Sequence, residues 1–194
     1  MQVLFISSLI AAACLYAYLF RSGRIRMFCS LTHSDLWQLI GFGFLGNFLY
    51  SAFYYAGVRR LSAADACSIN YLWPIMAAIC AAVVLHERIK ATEWMAILLS
   101  FAGVVLISTR GKGLMLEDVR GVLLCVAGAV CYGIFNVLNK KKNLDQILCT
   151  AVYFTVTAVC SLPFLVVTGE IAPMSGRTWA GMLWLGLFID ALAT

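Results

Sequence analysis

Six long uncharged stretches, separated by short gaps that carry almost all of the charge, organise this chain of 194 residues. A helix needs about 20 mostly apolar residues to cross the hydrocarbon core of a bilayer. The stretches meet or approach that length, and they cover Gln2–Phe20, Leu36–Val58, Ala66–Leu85, Trp94–Thr109, Gly121–Asn139 and Gln146–Gly169. A seventh begins at Thr178 and is interrupted by Asp190. The pattern predicts an all-α integral membrane protein, a polytopic bundle of about seven transmembrane helices.

The composition supports lipid as the solvent of most of this chain. Hydrophobic residues make up 63% of it and charged residues 12%, whereas a soluble domain is nearer half apolar and a quarter charged. Buried helices of a soluble protein would also need a polar face on each helix, and the uncharged stretches have none. A soluble fold is therefore excluded, and the lipid bilayer is the first expected partner.

The basic residues predict an orientation in the membrane. One set of alternate loops holds eight of them: Arg21, Arg24, Arg26, Arg88, Lys90, Lys140, Lys141 and Lys142. The other set holds six: Arg59, Arg60, Arg110, Lys112, Arg120 and Arg177. The positive-inside rule places the richer set in the cytoplasm of a bacterial plasma membrane. The net charge of +5 is scattered over these loops and indicates contact with lipid headgroups, not binding of nucleic acid.

No catalytic, metal or cofactor motif emerges from the sequence. The eight cysteines include no Cys-x-x-Cys pair and no Cys/His cluster at metal-ligand spacing, so they are expected to be small buried hydrophobes. An intramembrane hydrolase needs a nucleophile and a base or paired carboxylates. His33 and His86 fall at the membrane interface, and Asp190 has no visible partner. We expect neither an enzyme nor a bound cofactor or metal.

A weak internal repeat indicates how the helices are arranged. A shift of 143 positions places Gly43–Ser51 on Gly186–Thr194, matching glycine with glycine and a polar residue with a polar residue. The same shift places the first uncharged stretch on residues 146–163. The shift equals five helices, an odd number, so the two copies cross the membrane in opposite senses. Inverted repeats of this kind are a recurrent architecture of secondary transporters.

The residues between Leu61 and Arg110 resemble a known family. They read Leu-Ser-Ala-Ala-Asp-Ala, then Asn-Tyr-Leu-Trp-Pro, His-Glu-Arg-Ile and Phe-Ala-Gly-Val-Val-Leu-Ile-Ser. This resembles the EamA-type domain of the drug/metabolite transporter superfamily. The segment from Asn70 to Pro74, with Asn136 and Asn139-Lys140 later in the chain, is most similar to the aromatic amino acid exporters within it.

The resemblance implies two five-helix inverted repeats, ten helices in all. Residues 1–110 would be a first repeat lacking its first helix, and residues 118–194 the start of a second. The chain is thus expected to lack most of the last three helices. The implied function is export of small metabolites, such as aromatic amino acids, by alternating access. The alternative is a non-transporting membrane protein, either a truncated paralogue or an assembly factor that binds partner helices.

The uncharged stretch from Ala66 to Leu85 carries the strongest candidate binding residues. Cys67, Asn70, Tyr71 and Pro74 follow the i, i+3, i+4, i+7 spacing of one helix face. Proline removes a backbone donor and frees a carbonyl near Asn70, which in lipid must find another partner or a cavity. Either a ligand site or a packing kink fits this pattern. Trp73, midway along the stretch, is either lipid-facing packing or part of an aromatic cavity wall.

Further candidates come from neighbouring stretches. Tyr132, Asn136 and Asn139 share one face, where the amides serve either as a substrate contact or as a bond between helices. Asn47, Tyr50 and Tyr54 share another, although Tyr54 also fits the interfacial aromatic belt. Asp190 lies thirteen residues into its stretch and should avoid lipid. The full set of candidate substrate-binding residues is Asn47, Tyr50, Asn70, Tyr71, Trp73, Pro74, Tyr132, Asn136 and Asp190.

Overall fold

A computed structural model describes residues 1–84, 86, 90–108, 118–140 and 144–168, together with the isolated positions 176, 179 and 181. Its helical elements follow one another along the chain. They are α1 (Gln2–Arg21), a 3-10 segment (Arg24–Ser30), α2 (His33–Phe42), a π segment (Gly43–Leu49), α3 (Tyr50–Val58), α4 (Ala63–Asn70), α5 (Trp73–Val84), α6 (Ala91–Ser108), α7 (Val119–Lys140) and α8 (Gln146–Thr168). The seventh predicted stretch, with Asp190, lies outside the described residues.

Four helical spans in the described part of the chain are long and apolar enough to cross a membrane. They are Gln2–Arg21, Ala63–Val84, Val119–Lys140 and Gln146–Val167, and a shorter apolar helix covers Ala91–Gly103. The residues from His33 to Val58 form a further continuous run through α2, the π segment and α3. The predicted fold class, a polytopic all-helical membrane protein, is confirmed.

The chain divides by its contacts into two compact units, of which the first contains Met1–Phe48 and Asn143–Thr194. In this unit α1 packs along α8, and α2 also contacts α8. The buried face of α1 repeats every three or four residues and is rich in small side chains: Leu4, Ser7, Ser8, Ala11, Ala12, Leu15 and Leu19. Small residues let two helices approach closely in lipid, where packing replaces the hydrophobic effect as the driving force.

The first unit has a fixed turn at one end of α1. Gly23 adopts a φ of 70°, which glycine tolerates without strain, and it separates α1 from the 3-10 segment. That segment is held in place by Phe28, whose ring lies 5.9 Å from the ring of Tyr16 on α1, and by an ion pair of 3.2 Å between Arg24 Nη1 and Asp145 Oδ2. The other oxygen of Asp145 accepts from the backbone N–H of Leu148 and caps α8.

The second unit, Leu49–Lys142, is organised around α7. Helices α3, α4 and α5 all pack on α7, and α6 packs on α4. Glycines set the distances: a Cβ on Gly128 would lie 3.3 Å from the backbone oxygen of Tyr50, and one on Gly133 would lie 2.8 Å from the backbone nitrogen of Ala77. The backbones of α3 and α5 therefore pass very close to α7.

The start of α7 is fixed by an arrangement similar to that of α8. Asp118 Oδ1 accepts from the backbone N–H groups of Arg120 and Gly121, while Oδ2 pairs with Arg60 Nη1 at 3.1 Å. The hydrogen bond from Arg60, helped by those backbone donors, holds the pKa of the Asp118 carboxyl below its usual value.

The uncharged stretch from Ala66 to Leu85 contains a break just before Pro74. The helix is interrupted at Tyr71 and Leu72, so that α4 ends at Asn70 and α5 begins at Trp73. Pro74 lies in the first turn of α5, where its missing N–H is tolerated because the first N–H groups of a helix lack intrahelical partners. The break lies beside Asn70, where the sequence predicts that Pro74 disturbs the helix, and the shared face of Cys67, Asn70, Tyr71 and Pro74 stays a prediction.

Candidate functional site

Four of the candidate residues meet in the second unit, and two of them, Asn70 and Trp73, flank the break between α4 and α5. Tyr50 begins α3, Asn70 ends α4 and Trp73 begins α5, while Tyr132 lies in the middle of α7. The rings of Tyr50 and Tyr132 are 4.8 Å apart, and the ring of Trp73 meets that of Tyr132 edge-on at 5.2 Å. We call Tyr50, Asn70, Trp73 and Tyr132 the aromatic cluster.

The helix break explains how the aromatic cluster forms. A continuous helix would place Asn70 and Trp73 almost a turn apart on one surface. The interruption at Tyr71 and Leu72 instead starts a new helix at Trp73, whose indole reaches α7. Gly133, next to Tyr132, lets the backbone of α5 approach α7 without a clash. Local backbone chemistry at Pro74 and a close helix approach at Gly133 thus produce the cluster together.

Asn70 supplies the polar part of the aromatic cluster. Its Nδ2 donates a hydrogen bond of 3.1 Å to the hydroxyl oxygen of Tyr50. Its Oδ1 is buried and has no partner within the part of the chain that the structure describes. A buried acceptor without a donor costs roughly 1–3 kcal/mol, so this oxygen would gain free energy from any donor that reached it.

The chemistry available to the aromatic cluster is recognition and not bond making. It contains three aromatic rings, a phenol hydroxyl and a carboxamide, and none of its members is a carboxylate, an imidazole or an amine. Ring faces and edges hold planar or cationic groups, and the amide holds one hydrogen-bonding group. Within the described residues, no three side chains of the His, Cys, Asp or Glu type lie close enough to hold a metal ion.

The structure places three other candidates differently. Tyr71 follows the end of α4, and 44% of its surface is exposed. Asn136 Nδ2 donates to the backbone oxygen of Tyr132, one turn earlier on α7, at 2.8 Å. Pro74 is half-buried in the first turn of α5. The part of these three residues in a binding site stays a prediction.

Asn47 lies in the π segment and is half-buried. It belongs to the first unit, whereas the aromatic cluster belongs to the second. A π-helical turn inside an α-helix is rare and often marks a functional position. No feature of the sequence predicted this turn, although Gly43 and Gly46 lie within it.

Two aromatic residues outside the predicted set extend the aromatic cluster. The ring of Tyr54 stacks on that of Tyr50, at 6.1 Å with an angle of 14° between the planes, and the ring of Phe135 lies 5.9 Å from that of Tyr132. Tyr54 also packs against the small core of Ala66, Ile69 and Cys125. Its spacing of four from Tyr50 was the available signal, and it competed with an interpretation as a membrane-interface tyrosine.

The fold and the aromatic cluster define a polytopic helical membrane protein with a candidate ligand site between its helices. The comparison with family models identifies the group. The model of the EamA-like transporter family matches residues 1–109, more than half of the chain. The protein belongs to the EamA-like transporter family, as the residues between Leu61 and Arg110 predicted.

Individual relatives agree with this assignment. The chain is 28% identical over 155 residues to the aromatic amino acid exporter YddG of Ancylobacter novellus, a match that covers 78% of this chain and 54% of that protein. It is 23% identical over 161 residues to the uncharacterized transporter YyaM of Bacillus subtilis, covering 77% and 52% respectively. The chain therefore spans about half the length of these relatives.

A solved structure has the same fold. A crystal structure with 23% sequence identity superposes with a TM-score of 0.81, covering 98% of this chain and 66% of the other. At this identity the likeness concerns the fold alone.

Proposed function

We propose that this protein is part of a secondary transporter that exports small metabolites, and that amino acids with planar side chains are its substrates. Membership of the EamA-like transporter family supports the transport class. The similarity to a protein named as an aromatic amino acid exporter supports the substrate class. The cellular location under this proposal is the plasma membrane of a bacterium, where the protein crosses the bilayer several times.

The aromatic cluster is the observation that carries the proposal. The ring of Tyr132 lies 4.8 Å from that of Tyr50 and 5.2 Å from that of Trp73, and these three rings would provide a surface for a planar ligand. Contacts between aromatic rings in favourable geometry contribute roughly 0.5–1.5 kcal/mol each beyond burial. Asn70, with one end of its amide unsatisfied, would bind the polar end of the ligand. The cluster bears no charge, which suits a zwitterion whose own charges balance.

The proposed mechanism is alternating access. Two repeats, residues 1–110 and 118–194, would rock about a site near the middle of the membrane, as inverted-repeat transporters do. Tyr71, Pro74, Asn136, Asn47 and Asp190 are proposed to line the path at other stages of that cycle. The interruption between α4 and α5 is a suitable place for movement, because helix ends absorb backbone changes with little loss of packing.

Transport by reconstituted protein tests the proposal. The full-length transporter that contains this sequence is purified and incorporated into liposomes loaded with labelled phenylalanine or tryptophan, and efflux is followed. Asn70→Ala and Tyr50→Phe are expected to slow efflux at least tenfold, since each removes part of the polar contact. Tyr71→Ala, the exposed neighbour, is expected to have a smaller effect.

The matched control is Tyr18→Phe, which removes the hydroxyl of a tyrosine on α1 that is 51% exposed. It is expected to leave efflux unchanged. Normal efflux by both Asn70→Ala and Tyr50→Phe would remove the aromatic cluster from the pathway. If folded wild-type protein shows no efflux of any amino acid, the non-transporting alternative, a protein that binds partner helices, is favoured instead.

A further inference from the structure

The chain between Arg21 and Ser30, which we call the arginine segment, carries three arginines within six positions. It is not a free loop. Gly23 turns the chain at the end of α1, the 3-10 helix contacts both α1 and α8, and Phe28 packs on Tyr16. Ile25 and Phe28 are half-buried, whereas Arg21, Arg26 and Met27 are exposed. The backbone that carries these arginines is therefore held in place by its packing against α1 and α8.

Within the described residues, Arg24 is the one arginine of this segment that pairs with a residue of opposite charge. Arg24 pairs with Asp145, which also caps α8. The side chains of Arg21 and Arg26 form no ion pair or hydrogen bond with any residue in the described part of the chain. Asp35, the next acidic residue along the chain, is engaged in the cap of α2 through Thr32. Two guanidinium groups are thus left for a ligand.

Apolar side chains near the arginine segment show where it lies with respect to the bilayer. Phe20 is 75% exposed and Trp37, in the first turns of α2, is 70% exposed. Met27 is 40% exposed within the segment itself. Aromatic and long apolar side chains beside arginines are typical of the zone where acyl chains meet headgroups. We therefore expect the guanidinium groups of Arg21 and Arg26 to lie at the level of lipid phosphates.

We propose that Arg21 and Arg26 form a binding site for the phosphate of an anionic phospholipid headgroup. A guanidinium can donate two parallel hydrogen bonds to phosphate oxygens, and it is less strongly hydrated than an ammonium group. Phe20 and Met27 would contact the first carbons of the acyl chains. A zwitterionic lipid also carries a phosphate, but its amine offsets the charge, so the site favours phosphatidylglycerol over phosphatidylcholine.

Lipid retention measured by native mass spectrometry tests this site. Purified protein in a neutral detergent is titrated with phosphatidylglycerol, phosphatidylcholine or glycerol phosphate, and bound molecules are counted. The wild-type protein is expected to retain phosphatidylglycerol in preference to the other two. The double variant Arg21→Gln/Arg26→Gln should bind it about 30-fold more weakly, from roughly 1 kcal/mol for each basic residue. The control Arg120→Gln, which changes an exposed arginine of the second unit, should bind as the wild type does.

Several results would overturn the proposal. These are equal retention by the double variant and the wild type, equal retention of the two phospholipids, and a similar loss in the Arg120 control. Binding of glycerol phosphate as tightly as the lipid would assign the site to a soluble phosphate compound. A second measurement needs no variant: retention by the wild type should fall as salt rises from about 0.1 M to about 1 M, because exposed charges are screened. Salt-independent retention would contradict a site made by exposed arginines.

Discussion

The side chain of Asn70 joins two helices with one end of its amide and leaves the other end without a partner. Its Nδ2 binds Tyr50 on α3, while Oδ1 is buried and unsatisfied within the described structure. Amides in membrane helices usually bond to another helix at a gain near 1 kcal/mol. Here the bond to Tyr50 serves that purpose, and the unsatisfied oxygen is a cost that a purely structural amide would avoid.

The interaction between Tyr50 and Asn70 can be measured by a double-mutant cycle. Tyr50→Phe leaves the whole amide of Asn70 without a partner and is expected to lower the free energy of unfolding by roughly 1–3 kcal/mol. In the double variant Tyr50→Phe/Asn70→Leu neither of these two positions carries a polar group, so its stability should be close to that of the wild type. Equilibrium unfolding in mixed micelles provides the free energies. Additive losses in the double variant would show that the two side chains do not interact.

At the scale of helices, close packing depends on a few glycines whose surroundings differ sharply. Gly41 and Gly43 lie two residues apart, at the end of α2 and the start of the π segment. A Cβ on Gly43 would come 2.9 Å from the Cα of Tyr153 on α8, whereas one on Gly41 would meet nothing within 4 Å. The two positions therefore separate the effect of helix contact from that of helix propensity.

We expect Gly43→Ala to destabilise the protein and Gly41→Ala to leave it unchanged or slightly more stable. The first forces α2 and α8 apart, at a cost of roughly 1–3 kcal/mol. The second gains up to about 1 kcal/mol of helix propensity without a clash. Thermal unfolding of the two variants side by side gives the comparison. Equal unfolding temperatures would mean that α8 can move away from Gly43 freely.

The sequence predicted where helices lie better than where they begin. Three helices start three residues before the uncharged stretches assigned to them: α2 at His33, α4 at Ala63 and α6 at Ala91. Asp35 and Asp65 fall in the first turns of α2 and α4, each bonded to the hydroxyl of its N-cap residue, Thr32 or Ser62. A search for uncharged runs stops at these aspartates and therefore places the start of each helix too late. A carboxylate in the first turn of a helix is in fact favourable.

The aromatic cluster was predictable in its members and not in its contacts. Its members were identified because polar and aromatic groups within an apolar stretch are expected to face protein or a cavity instead of lipid. They are Tyr50, Asn70, Trp73 and Tyr132. Their association depends on which helices pack together, and Tyr132 is far from Tyr50 in the sequence. The packing of α7 on α3 and α5, at Gly128 and Gly133, determines it. The exact position of the helix break was also needed to distinguish Asn70, which joins the aromatic cluster, from its exposed neighbour Tyr71.

At the scale of the whole molecule, the predicted orientation depends on a small difference in charge. The loops assigned to the cytoplasm hold eight basic residues and the others six. Arg21→Gln/Arg26→Gln would make the two counts equal, so we expect this variant to insert in both orientations. An impermeant thiol reagent, applied to cells with Ser30→Cys in an otherwise cysteine-free chain, measures the fraction exposed outside. Wild-type orientation in the double variant would show that something other than this difference fixes the topology.

The packing of α1 on α8 has a consequence for how the protein is made. Arg24 and its partner Asp145 are 121 residues apart, and ribosomes add about 5–20 residues per second. Helix α1 therefore enters the membrane on the order of ten seconds before its main partner, α8, is synthesised. During that interval its serine-containing face, with Ser7 and Ser8, faces lipid or the insertion machinery. Newly made chains should accordingly depend on membrane chaperones more than their final stability would indicate.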